Sequence, residues 1–169
     1  MELALRLRAR DDDFGVERRV EVAAAPLLMH VDDDEDVAFL LRRALRSKGV
    51  AHWSFLHQSS GSEALDYLRR ARSGEVPLPT LLVLDVKMPG MGGLDVLEWV
   101  RATMPALPAV MLSSSGLPQE RLRARELGSR GYFEKSATFS EVVEFLRDWE
   151  AARSFSQSAD LARCISWAA

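Results

Sequence analysis

The chain predicts an α/β domain: a doubly wound, five-stranded parallel sheet with helices on both faces and an extension at each end. Three observations carry this. Short strand-like runs alternate with amphipathic helical stretches through the middle of the chain, which is the pattern of βαβ units. The runs are continuously apolar rather than alternating, as strands covered on both faces are. Several of them end in a polar residue. In an open parallel sheet those C-terminal ends form one edge, where such folds build their sites.

The first strand is expected over 27–31, Leu27-Leu28-Met29-His30-Val31, and runs into Asp32-Asp33-Asp34-Glu35-Asp36. A helix over 35–48 follows, with Val37, Leu40, Leu41, Ala44 and Leu45 at helical spacing, basic residues opposite, and Gly49 as its stop. A strand over 51–57 leads to a helix over 61–74, capped by Ser60 or Ser62. The third strand, 80–85, ends at Asp85, and a helix over 92–103 starts near Gly93. The fourth strand, 108–113, ends at Ser113 and precedes a helix over 118–127. The fifth, 130–134, ends just before Lys135, and a helix over 139–152 carries Val142, Val143, Leu146 and Trp149 in step. Right-handed crossovers place these helices on both faces.

Residues 1–25 alternate at Leu3, Leu5 and Leu7 and again at Val20 and Val22, which suits either a small hairpin or, the preferred reading, a loose arm. The main domain is expected over 26–153. Residues 154–169, with Leu161, Ile165 and Trp167, form a tail that suits a short helix and leaves no room for a covalent DNA-binding or enzymatic unit.

The 169 residues suffice for one substantial core, and 47% hydrophobic with 28% charged residues is the balance of a soluble globular chain. A net charge of −3 gives no bulk reason to bind nucleic acid or anionic membrane. The single cysteine, Cys164, excludes an intramolecular disulfide and a cysteine zinc site. No apolar stretch reaches the length of a membrane span, and the start of the chain has no signal-peptide core. A bacterial-type cytoplasm is the expected location.

Acids, a hydroxyl and an ammonium at one sheet edge have the composition of a metal and phosphoryl site. Their order resembles the receiver domain of two-component response regulators. The resemblance covers about residues 27–152. It rests on the acidic pair after the first strand, the segment Asp85-x-x-Met88-Pro89-Gly90-Met91-x-Gly93, Ser113, and Tyr132-x-x-Lys135. The long stretch before Asp85 and the Asp34-Glu35-Asp36-Val37 helix start are similar to single-domain regulators linked to phytochrome-type kinases.

The resemblance implies a flavodoxin- or CheY-like fold in which Asp85 accepts a phosphoryl group. It implies Mg²⁺ bound directly by Asp33, through water by Asp32, and by Asp85 and the main-chain carbonyl of Lys87. Carboxylates about 4 Å apart repel by about 4 kcal/mol per pair at an effective dielectric of 20, which a hard divalent cation offsets. Asp34, Glu35 and Asp36 are read instead as helix N-terminal acids. Ser113, preferred over Ser114 by register, would donate to a phosphoryl oxygen. Lys135 would pair with Asp85 and then with the phosphoryl group. Tyr132 is either the aromatic that moves inward when Ser113 shifts or an ordinary core ring.

Lys87 and Ser115 sit where the family tunes acyl-phosphate hydrolysis, and no acid is expected beside Lys87 to activate water. Where the family has proline, often after a cis bond, this chain has Ser136, for which a trans bond is expected. His30, His52 and His57 are read as a group without acidic partners, and His30 as a core or sheet-edge residue. Arg121, Arg123 and Arg125 are read as a solvated helix face.

The partners implied are a histidine kinase or histidine phosphotransfer protein and a downstream protein target, with pairing of two copies left open. No enzyme activity is implied beyond self-phosphotransfer and slow autodephosphorylation. One rival is a phosphorylation-independent interaction module on the same fold. Another is an aspartate-nucleophile phosphatase using Asp32 and Asp34, which leaves Asp85-x-x-Met88-Pro89 unexplained.

Overall fold

All five residues of Leu81–Asp85 (β3) and of Ala109–Ser113 (β4) are buried, because helices cover both faces of the sheet they centre. The computed structural model describes residues 25–136 and 139–156, the last four by backbone alone. The other strands are Leu27–Val31 (β1), Ser54–Gln58 (β2) and Tyr132–Glu134 (β5). The helices are Glu35–Ser47 (α1), Gly61–Arg72 (α2), Gly93–Thr103 (α3), Pro118–Glu126 (α4) and Ser140–Ser156 (α5). The strands lie in the order β2-β1-β3-β4-β5, every pair parallel. This is the doubly wound order predicted, with its switch point between β1 and β3.

Strand alternation divides the core in two. Met29, Val31, Leu82, Leu84 and Met111 face Leu65 and Leu68 of α2, Val96, Leu97 and Val100 of α3, and Ala124 of α4. Leu28, Leu81, Val83, Val110 and Leu112 face Leu41 and Leu45 of α1 and Val142, Val143 and Leu146 of α5.

The helix boundaries follow local chemistry. Asp34 caps α1, its carboxylate accepting the Asp36 and Val37 N–H groups at 2.9 and 3.4 Å. With Glu35 and Asp36 in the first turn, these acids serve the helix as expected. Ser60, not Ser62, caps α2 through the Glu63 N–H. Gly49, at φ +86°, ends the α1 turn in a conformation that a Cβ disfavours.

Two strand starts differ from expectation. β2 begins at Ser54 rather than 51, because Trp53 turns into the core at the end of the α1 turn. β5 is reduced to three residues. α5 runs on through Ser156, past the domain boundary expected at 153. The arm over 1–25, the tail residues Leu161, Ile165 and Trp167, and Cys164 lie outside the described residues.

Candidate functional site

The polar ends of β1, β3, β4 and β5 converge, as the topology requires. Asp32 and Asp33 follow β1 and Asp85 ends β3. Each of the three offers a carboxylate oxygen within 4.8 Å of the others'. Asp32 is fully buried and Asp85 is 3% exposed, whereas Asp33 is open to solvent. Lys135, one residue past β5, reaches back between the buried pair, its Nζ 2.8 Å from Asp32 Oδ2 and 3.2 Å from Asp85 Oδ1.

These groups set one another's protonation. Burial pushes the Asp85 carboxyl above the usual carboxylate range; Lys135 opposes this and the Asp32 charge adds to it. Burial acts the same way on Asp32, but the adjacent His30 ring and the Lys135 ammonium outweigh it and hold that carboxyl low. Lys135 loses to burial less than it gains from the two carboxylates, so its ammonium is held above its ordinary value. Three oxygen donors at this spacing suit a hard cation that keeps some of its water.

The switch residues expected from sequence are joined through one backbone carbonyl. Ser113, 1% exposed at the end of β4, donates from Oγ to the Ser115 carbonyl at 2.8 Å and accepts the Ser115 N–H at 3.1 Å. Ser114, by contrast, is exposed. Tyr132 is 5% exposed and donates to the same carbonyl at 2.9 Å. The ring, expected either to move inward when Ser113 shifts or to lie in the core, is buried in this structure.

Three residues have roles that sequence reasoning missed. Glu120, in the first turn of α4, lies 3.1 Å from Lys87 Nζ, accepts from Ser115 Oγ at 3.1 Å, and lies 3.1 Å from the Tyr132 hydroxyl, whose one proton is shared between it and the Ser115 carbonyl. The expectation that no acid stands beside Lys87 is corrected by this carboxylate, which the fold brings from a distant helix. Its residue number signalled only a helix N-terminal acid. Arg121 is not simply solvated: its guanidinium carbon sits 4.9 Å from the centroid of the Tyr132 ring. Arg123 pairs with Glu98 and Glu126 on the helix surface.

The third is His30. The expectation that the histidines form a group without acidic partners is corrected. His30 Nε2 is 3.5 Å from Asp32 Oδ2, because residues two apart on an extended chain share a face. Its ring stacks on His57, whose Nε2 contacts the Asp32 carbonyl at 2.8 Å. Burial is the largest influence on His30 and pulls it below its ordinary value, so a neutral imidazole backs the Asp32 carboxylate. His52 stands apart and pairs with Glu150 of α5.

At the position where proline was absent, the Lys135–Ser136 bond is trans. The Ser136 hydroxyl accepts the Phe139 N–H at 3.2 Å, making the turn into α5.

Comparison with known proteins agrees with this geometry. The family described as the response regulator receiver domain matches residues 28–147. A protein of Mycobacterium tuberculosis named "Probable transcriptional regulatory protein TcrX" is 35% identical over 117 residues, covering 69% of this chain and 46% of its own length. The chain spans about half the length, or less, of the curated relatives it matches. Among solved structures, the phosphorylated cyanobacterial phytochrome response regulator RcpA has 25% identity and a TM-score of 0.64, covering 83% of this chain and all of that one. Response regulator TrrA of Thermotoga maritima, solved with Mg²⁺ and BeF, has 25% identity and a TM-score of 0.60, covering 73% and 97%.

Proposed function

The chain belongs to the response regulator receiver domain family, and from that premise we propose that it takes a phosphoryl group from a phosphohistidine donor onto Asp85 and thereby switches the binding of a protein partner or passes the group along a relay. The observation that carries this reading is the convergence of Asp32, Asp33 and Asp85 with the Lys135 ammonium at the sheet edge. We assign this role to the unit 26–153.

An Asp85 carboxylate oxygen attacks phosphorus; the new P–O bond forms as the P–N bond to the donor imidazole breaks, and the imidazole leaves carrying its proton. The acids that would hold Mg²⁺ are Asp32, Asp33 and Asp85, with the Lys87 main-chain carbonyl. When bound, the ion neutralises the carboxylates and the transferred oxygens. Lys135 pairs with Asp85 before transfer and with a phosphoryl oxygen after it. Ser113 turns its single proton from the Ser115 carbonyl to another phosphoryl oxygen. These residues act once per cycle on the chain's own aspartate, so the domain is a phosphoacceptor rather than a turnover enzyme.

The upstream partner is a histidine kinase or histidine phosphotransfer protein, and the downstream partner a protein reading the face of α4, β5 and α5 around Tyr132. The transcriptional output in the names of longer relatives belongs to those proteins. Among the described residues no helix is long and apolar enough to cross a membrane. A second reading, partner binding without phosphorylation, is favoured by Ser136, which follows Lys135 where the family has proline.

Acetyl phosphate with and without Mg²⁺, followed by intact mass measurement beside Asp85→Asn, tests the proposal. A single phosphoryl adduct that needs both Mg²⁺ and Asp85 is expected. A folded protein that takes no adduct from acetyl phosphate or from a phosphorylated histidine donor overturns it in favour of the second reading.

A further inference from the structure

His30 is the polar side chain of β1, fully buried between Met29 and Val31. Among the described residues neither nitrogen of its ring makes a hydrogen bond. Burying polar atoms unpaired costs stability, so an apolar residue like its neighbours would serve the fold better there. What the ring meets instead is the site. Leu28, His30 and Asp32 alternate onto one face of the extended chain, and His30 Nε2 packs 3.5 Å from Asp32 Oδ2. Opposite His30 on β2 stands His57. The two rings stack with centroids 5.7 Å apart, and Phe55 flanks the His30 ring at 5.9 Å. From this stack His57 Nε2 donates to the Asp32 main-chain carbonyl at 2.8 Å. A carbonyl only accepts, so that nitrogen carries the proton.

The carbonyl belongs to the peptide unit that joins Asp32 to Asp33. A peptide is planar, so holding its oxygen sets the direction in which Asp33 leaves. Asp32 is also held at its N–H by the Gln58 carbonyl at 3.1 Å, at Oδ1 by the Asp34 N–H at 3.1 Å, and at Oδ2 by Lys135 at 2.8 Å. We infer that His57 and His30 are positioning residues for the divalent cation: His57 pins the peptide between the two acids, and His30 holds both the His57 ring and the Asp32 carboxylate from behind. Both act through the acids rather than as ligands. The inference takes from the phosphoacceptor reading that Mg²⁺ is the ion these acids hold. Removing a support of this kind typically costs about 10- to 100-fold in metal affinity.

Calorimetric titration of the EDTA-treated, dialysed full chain with MgCl₂ tests it, with the metal-free melting temperature measured on the same samples. His57→Phe keeps a ring to stack but loses the hydrogen bond, and is expected to weaken Mg²⁺ binding about tenfold or more. Its melting temperature should change little, because His57 is partly exposed on the edge strand. His57→Gln keeps an N–H donor and is expected to recover most of the affinity. His30→Leu is expected to weaken binding too, yet to melt no lower than the parent, since it removes two unpaired buried nitrogens; if it does not fold, the His57 variants decide. Parent-like affinity in His57→Phe overturns the inference. So does a loss in His57→Gln as large as in His57→Phe, an affinity that falls only in step with melting temperature, or a parent that binds no Mg²⁺. Intact mass after acetyl phosphate keeps the two proposals apart. An adduct with unchanged affinities sinks the histidine pair alone, and weakened affinities without an adduct from any donor sink the phosphoacceptor reading alone.

Discussion

Asp85 carries the most consequential conflict in the molecule. The fold buries its carboxylate beside that of Asp32 and provides one ammonium for both. Its folded-state pKa is raised, first by burial, so its ionised form costs stability at neutral pH, and that cost is relieved as pH falls through the raised value. Asp32 has the opposite sign: its pKa is lowered, and the stability it contributes is lost as pH falls through its depressed value. The difference between Asp85→Asn and the parent isolates the first effect. In EDTA-treated protein the variant is expected to melt higher near neutral pH, with the gap closing on acidification. A gap that stays constant with pH would mean that Asp85 does not feel its neighbours. At this scale His30 also acquires meaning, as an uncharged ring that occupies the space behind Asp32 where water would otherwise screen it.

Elements, rather than side chains, set how closely these groups approach. Helix α3 begins at Gly93, and a Cβ built there would lie 2.0 Å from the main-chain oxygen of Asp85. No real contact is that short, so the start of α3 lies on the backbone of Asp85 because residue 93 has no side chain. Gly93→Ala is expected to push the two apart, cost about 1–3 kcal/mol of stability as an overpacked contact does, and slow phosphoryl uptake together with it. Unfolding in urea and the rate of adduct formation measure the two effects. Helix α4 works differently. Its surface is rich in arginine, and among its described residues Ala124 alone is fully buried. It is tied down instead by polar contacts from Glu120 and Arg121.

At the scale of the whole molecule, binding at the acidic cluster is coupled to folding, since the cluster exists only when β1 and β3 are paired. Mg²⁺ is expected to raise the melting temperature with concentration, approaching the roughly 2.7 kcal/mol gained at a hundred times Kd. Asp33→Ala should abolish that rise with little effect on the metal-free protein, because Asp33 is exposed and makes no described hydrogen bond that the fold needs. An undiminished rise in the variant would remove Asp33 from the ligand set.

By itself the sequence determined the sheet, its helices and the residues at its active edge. Each strand is a short apolar run closed by a polar residue, and each helix an apolar stripe with a cap, signals that lie within a few neighbouring positions. Asp32, Asp33, Asp85, Ser113 and Lys135 could be named because a parallel sheet brings the ends of its strands together whatever the details of packing. Only the tertiary structure decided that Glu120 meets Lys87, that Arg121 covers Tyr132, that His30 backs Asp32, and that Tyr132 is buried. Those contacts join residues far apart in the chain through the exact rotation of α4 and the path of two loops. That rotation depends on how all the layers pack at once, which no local pattern of residues records.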